Sequence, residues 1–215
     1  MRGDSIVIEP HHRRAADGVC DIVLPKLLNN KERFVLTVAG ESGSGKSETA
    51  AAIAEVLAGH DIGCFIFQQD DYFVHPPKSN DRARRDDITW VGPQEVKIDL
   101  LDTHLQAFRD GDEITKPLVI YADDQVSEET VDAGSARVAI AEGTYTTLLS
   151  QADVHVFIGR TYRQTRAHRE KRRRDDAELD PFIERVLSIE HDIISQHQNR
   201  AHIIVHDDYS VFLAS

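Results

Sequence analysis

The sequence predicts an α/β protein whose sheet is mainly parallel and carries helices on both faces. Three observations lead there. Short apolar, β-branched runs alternate with stretches of helical periodicity along the 215 residues. One of those runs, residues 34–39 (FVLTVA), is apolar at nearly every position, as in a strand covered on both sides. It leads directly into a glycine-rich segment, residues 40–47 (GESGSGKS), and then into an alanine-rich helix.

Taken in order, residues 1–14 are polar and read as a loose arm, with His11 and His12 in a solvated tail. Residues 19–28 place Val19, Ile22, Val23 and Leu27 at helical spacing. After the strand at 34–39, residues 48–58 form a helix that Gly59 stops. Residues 64–67 (CFIF) are a second buried strand, and 75–95 read as irregular. Helical periodicity returns over 95–108 and ends at Gly111. Further strands are expected at 118–121, 137–141, 154–158 and 202–206, with a long helix at 179–197. No repeat, low-complexity tract or linker divides the chain, so one domain over 1–215 is expected, with an arginine-rich lid at 160–178.

Composition narrows the function. The formal net charge is -12, which opposes binding to nucleic-acid backbones. The two cysteines, Cys20 and Cys64, form no metal or redox spacing and read as buried thiols of a reducing compartment. No apolar run is long enough to span a membrane, and residues 1–14 lack the apolar core of a signal peptide. A cytoplasmic protein is expected, and a homo-oligomer is compatible with these features.

Residues 40–47 match G-x-x-x-x-G-K-[ST]. Gly40, Gly43 and Gly45 let the backbone curl so that its N–H groups, with Ser42 and Ser44, surround phosphate oxygens. The helix that follows aims its positive end at the same anion. Lys46 is placed to reach the β- and γ-phosphates, and the Ser47 hydroxyl to ligate Mg²⁺. A strand before the loop and a helix after it are the setting this motif requires, so the class is a P-loop NTPase three-layer sandwich.

A phosphate loop names the ligand and leaves the reaction open. A GTPase would carry D-x-x-G and N-K-x-D. The first is absent, and residues 30–33 (NKER) lack the aspartate of the second. No signature loop of a transporter ATPase is present. A small-molecule kinase needs an acid after the second strand, an acid near Mg²⁺ and an arginine-rich lid. Asp70, Glu142 and the run Arg163, Arg166, Arg169, Lys171, Arg172, Arg173, Arg174 supply candidates. Two other readings stay open: a nucleotide-binding regulatory protein, and an ATPase acting on a macromolecular partner.

The ordered set of motifs resembles the uridine kinase/phosphoribulokinase family. The set comprises VAGESGSGKSETA, residues 69–73 (QDDYF), residues 141–143 (AEG), residues 179–187 (LDPFIERVL) and residues 201–205 (AHIIV). The resemblance implies transfer of the γ-phosphoryl group of MgATP to a hydroxyl of a small metabolite. It implies Asp70 as catalytic base, with Lys46 and Glu142 beside it. Mg²⁺ is implied at Ser47, Asp70 and Glu142, and Arg163 and Arg166 as lid arginines on ATP. It places Tyr72 and Asp124 near the acceptor. Where uridine kinases carry N-[FY]-D-H-P-D-A, this chain has residues 89–95 (TWVGPQE). Val91 and Gly92 replace the polar ribose contacts, so weak or no activity on uridine and cytidine is expected. Lys78, Arg82, Arg84 and Arg85 follow the catalytic loop, and an anionic acceptor at Arg84 and Arg85 is the matching expectation.

Overall fold

A computed structural model describes residues 6–29, 31–166 and 180–214. The six-stranded sheet contains β1 (Phe34–Gly40), β2 (Cys64–Gln68), β5 (Val138–Gly143), β6 (Val154–Ile158), β7 (Ile203–Val205) and β8 (Val211–Leu213). Its strand order is β2-β5-β1-β6-β7-β8, parallel except for β8. A separate antiparallel hairpin joins β3 (Ile114–Ile120) to β4 (Gln125–Val131). The helices are α1 (Pro10–Asn29), α2 (Lys46–Ala58), α3 (Pro77–Asp86), α4 (Ile98–Asp110) and α5 (Pro181–Ile194).

The apolar run of β1 serves two cores by strict alternation. Leu36 and Val38 face one way, with Ile140, Val156 and Val205, and pack on α1 and α2 through Val19, Val23, Ile53 and Leu57. Val35 and Ala39 face the other way, with Phe67, Ala141 and Phe157, and pack on α4 and α5 through Leu101, Leu105, Phe108 and Ile194. The result is three layers, helix, sheet and helix.

Parallel strands put their C-terminal ends on one edge, where open sheets of this kind bind ligands. There Gly40 of β1 pairs with Ile158 of β6, and Val38 of β1 with Glu142 of β5. Gln68 of β2 also pairs with Glu142. Three short registers therefore bring residues from across the chain to one rim.

The structure corrects several sequence expectations. Residues 10–14 are not a loose arm but the first turns of α1, and His12 is buried. The His12 ring lies against the phosphate loop, with Nε2 2.8 Å from where a Cβ on Gly45 would stand. Residues 75–95 hold α3 and two 3₁₀ turns. The strands β4 and β8 add to the expected set. Cys20 and Cys64 are free, and burial pushes both thiols up to about 12, so neither is a ready nucleophile. Among the described residues no helix is long and apolar enough to cross a membrane.

Candidate active site

The phosphate loop leaves β1 at Gly40 and enters α2 at Lys46. Gly43 and Gly45 hold φ of 74° and 92°, the left-handed region that a side chain would strain. Lys46 and Ser47 are half-buried, while Ser44 and Gly45 are buried. Lys46 Nζ donates to the Glu41 carbonyl at 2.9 Å. The buried Ser44 Oγ and Thr49 Oγ1 have no hydrogen-bond partner among the described residues. Orphaned hydroxyls in a curled loop at a helix N-terminus suit an anion.

Glu41 ties this loop to two other elements. Its Oε2 accepts the Tyr162 N–H at 2.7 Å, and its Oε1 lies 2.7 Å from His191 Nδ1 on α5. Thr165 Oγ1 donates to the Ser42 carbonyl at 3.0 Å. The segment leading toward the arginine run is thus fastened to the phosphate loop. Arg163 and Arg166 are exposed there, with Arg163 Nε donating to Tyr162 Oη at 3.3 Å. Arg169, Lys171 and Arg172 to Arg174 lie outside the described residues, as does most of the expected lid.

After β2 the chain turns through a 3₁₀ segment, Gln69–Tyr72. Gln69, Asp71 and Tyr72 are buried there, and Asp70 is the partly open member. Asp71 is held by Lys116 Nζ at 2.9 Å and by the Val119 N–H at 3.0 Å. Asp70 follows β2, whose Gln68 pairs with Glu142 of β5, and it acts electrostatically on Glu142. Burial raises the Glu142 carboxyl well above the ordinary carboxylate range, and Asp70 raises it further. Lys46 and a hydrogen bond from Ser47 pull the other way. Lys46, Ser47, Asp70 and Glu142 therefore form one site. Its hydroxyl and carboxylate oxygens are the donor set a hard cation such as Mg²⁺ takes.

The residues expected at the acceptor fare differently. Tyr72 is fully buried, and its hydroxyl lies 2.9 Å from His104 Nδ1, which makes it part of the core. Asp124 caps α3 from the hairpin turn: Oδ1 accepts the Lys78 N–H at 2.7 Å, and Oδ2 accepts Ser79 Oγ at 2.8 Å. Arg84 is committed to carboxylates. Its Nε and one terminal nitrogen bond Glu95, and that nitrogen also reaches Glu190 Oε1 at 2.9 Å. Arg85 pairs with Asp81 at 2.8 Å and Asp180 at 2.7 Å. The expectation that Arg84 and Arg85 await an anionic acceptor is corrected on this ground: acidic side chains already neutralise both.

Sequence reasoning missed Glu41, Tyr145, Glu95 and Glu190. One signal was present. Val186, Leu187, Glu190 and Ile194 share the buried stripe of α5, so Glu190 is a carboxylate at an apolar position. The same test applied to 3₁₀ turns and loops has no period to work with, which is why Glu41 and Glu95 gave no sign.

A buried parallel strand, a glycine-rich anion loop and a helix opening on Lys46 define a P-loop mononucleotide-binding protein of the three-layer α/β class. The profile of the Phosphoribulokinase / Uridine kinase family matches residues 35–161. The chain belongs to that family.

Among its relatives is a bifunctional alpha-galactosidase/sucrose kinase, AgaSK, from Mediterraneibacter gnavus. It is 30% identical over 197 residues, covering 86% of this chain and 21% of that protein. A uridine kinase of Shewanella piezotolerans is 30% identical over 141 residues, covering 61% of this chain and 64% of the relative. The chain thus spans about a fifth of the first relative and less than two thirds of the second. The solved structure of a possible uridine kinase from Bacillus stearothermophilus superposes with a TM-score of 0.63 at 18% identity, covering 89% of this chain and 97% of that one.

Proposed function

We propose that this chain transfers the γ-phosphoryl group of MgATP to a hydroxyl of a small metabolite. The observation that carries this reading is the meeting of Asp70 and Glu142, at the ends of neighbouring strands, with Lys46 and Ser47 of the phosphate loop. A regulatory nucleotide sensor has no need of a second, partly open carboxylate there. The names of two relatives add weight, since one refers to sucrose and the other to uridine. Those compounds share hydroxyl groups carried on a sugar ring.

In this reading the residues of the phosphate loop hold the triphosphate through backbone N–H groups at the start of α2. Asp70 accepts the proton of the acceptor hydroxyl as its oxygen bonds to the γ-phosphorus. The bond between that phosphorus and the β–γ bridging oxygen breaks, and ADP leaves. Lys46 stabilises charge on the transferring group. Ser47, Asp70 and Glu142 would hold Mg²⁺, which supplies positive charge to the phosphate oxygens. Arg163 and Arg166 lie at the start of the arginine run and would approach the same phosphates on closure. The cytoplasm, with its ATP, is the compartment this activity calls for.

The test is acceptor-dependent ADP release across a library of hydroxylated metabolites, with Lys46→Ala alongside. Removing the Lys46 charge should cut turnover by more than about 100-fold. ADP release that requires no acceptor, or equal turnover in Lys46→Ala, would contradict the reading.

A further inference from the structure

A chain of buried polar contacts runs from the surface toward the phosphate loop. Trp90 Nε1 donates to Asn80 Oδ1 at 2.9 Å, and Asn80 Nδ2 donates to Glu95 Oε1 at 2.9 Å. Glu95, fully buried, accepts from Arg84 and from the Gly92 N–H at 3.0 Å. Arg84 then reaches Glu190 on α5. Glu190 is followed on α5 by His191, whose Nδ1 lies 2.7 Å from Glu41 Oε1 of the phosphate loop, and Lys46 of that loop acts electrostatically on Glu190.

Two features of this cluster suit a ligand. The Tyr145 hydroxyl is buried and has no hydrogen-bond partner among the described residues, and its electrostatic neighbours are Glu190, Glu95 and Arg84. A buried hydroxyl without a partner is a cost that folding alone does not explain. Arg84 uses Nε and one terminal nitrogen, and Glu190 uses one oxygen. The other nitrogen and the other oxygen take no hydrogen bond among the described residues. A donor and an acceptor fixed side by side match neighbouring hydroxyls of one molecule. Trp90 is half-buried, joined to this cluster through Asn80, with its ring against His75 at 5.7 Å between centroids.

Charge decides the class of molecule. At the cluster itself two carboxylates, Glu95 and Glu190, share one guanidinium, that of Arg84, and Lys46, which also acts on Glu190, is required by the triphosphate. An acceptor carrying carboxylate or phosphate would add to an excess of negative charge.

We propose that Arg84, Glu190 and Tyr145 form the acceptor subsite, and that the acceptor is an uncharged polyhydroxylated compound, a sugar or sugar alcohol. This rests on the phosphotransferase reading. Arg84 and Glu190 bind adjacent hydroxyls, and Tyr145 gains a partner as the subsite fills. Glu95 and Asn80 are positioning residues that hold the guanidinium.

Trp90 is the sole tryptophan of the chain and is coupled to the subsite through Asn80 and Glu95. With Mg²⁺ and a non-hydrolysable ATP analogue present, its fluorescence is followed during titration with sucrose, fructose and sorbitol, and with gluconate and fructose 6-phosphate. At least one uncharged compound should saturate the signal, at a concentration about tenfold or more below that of the anions. Tyr145→Phe and Glu190→Gln should each weaken that binding about tenfold or more, because each removes a hydroxyl partner in a buried site. Binding of the ATP analogue should change less than about twofold in both. Tyr145→Phe should also unfold at a temperature equal to or above that of the wild type, since it deletes an unpaired hydroxyl. A purely structural tyrosine would show the opposite.

Uncharged compounds that bind without forming ADP in the presence of ATP would leave this assignment standing and overturn the phosphotransferase reading. ADP formation with anionic acceptors only would do the reverse. Saturation by none of the uncharged compounds, or unchanged binding in both variants, overturns the assignment.

Discussion

Lys116 Nζ donates to Asp71 Oδ2 at 2.9 Å, with both side chains almost wholly removed from solvent. Lys116 lies on the β3–β4 hairpin and Asp71 in the turn after β2, so one ion pair fixes the hairpin to the loop that carries Asp70. Glu129, at 2.8 Å and one third exposed, is the second partner of Lys116. Breaking a buried pair from one side strands the other charge. Lys116→Met should therefore cost about 3–5 kcal/mol of stability. Glu129→Gln should cost less than about 1 kcal/mol, because that partner is open to water. Urea denaturation of both variants checks the order, and equal losses would contradict it.

The same contact separates the two aspartates by role. Asp71 is occupied and buried, while Asp70 is partly open and acts electrostatically on Glu142. Asp70→Asn should lower turnover by about 10²–10⁴-fold while leaving the urea midpoint near that of the wild type. Asp71→Asn should lower the midpoint. A steady-state assay paired with a denaturation curve distinguishes them, and a reversed pattern would exchange the roles.

The sheet and the phosphate end of the site were legible because their signals are local and periodic. Residues 34–39 announce a doubly covered strand, and G-x-x-x-x-G-K-S needs only its own eight positions. The acceptor end was opaque for a physical reason. The α3 sequence PKSNDRARRD buries only Asn80, so it has no apolar stripe to mark a helix. Its start is capped by Asp124, 46 positions from Lys78 in sequence. β4 is largely exposed and polar, and β8 has three residues. Arg84 and Arg85 look alike in sequence. Yet one is half-buried against Glu95 and Glu190, and the other lies exposed between Asp81 and Asp180. Only tertiary contacts distinguish them.

His155 gives a pH dependence whose sign can be worked out. Burial, followed by the nearby His202 and Arg200, pushes its imidazole from 6.5 down to about 4. Between those values the unfolded chain binds the proton and the folded chain does not. Stability from the neutral His155 is thus complete above pH 6.5 and is lost as pH falls toward about 4. Glu142 and Glu190, raised by burial, contribute with the opposite sign, so the wild-type curve alone is a mixture. The difference between wild type and His155→Gln isolates the histidine. Their stability gap should narrow as pH is lowered through this window, and a constant gap would contradict the assignment.

Gly143 closes β5 where Glu142 and Tyr145 diverge toward the site. A Cβ built there would stand 2.2 Å from Gln69 Cβ and 2.8 Å from Gln69 Oε1. The first of these sits at the root of the side chain, so rotation cannot relieve it. Gln69 cannot withdraw freely either, since its Oε1 accepts the Tyr145 N–H at 2.7 Å. Gly143→Ala must therefore push the turn after β2 away from the end of β5. The cost should be about 1–3 kcal/mol or more, the range for overpacking a dense interior. The displaced groups include Asp70 and Glu142, which the proposed phosphoryl transfer uses together. The variant should consequently lose turnover beyond what its stability predicts at a temperature where it remains folded. Measuring the urea midpoint and single-turnover phosphoryl transfer on the same preparation tests both parts. A variant that folds with wild-type stability and wild-type turnover would show that the contact between β5 and the Asp70 turn is looser than this geometry requires.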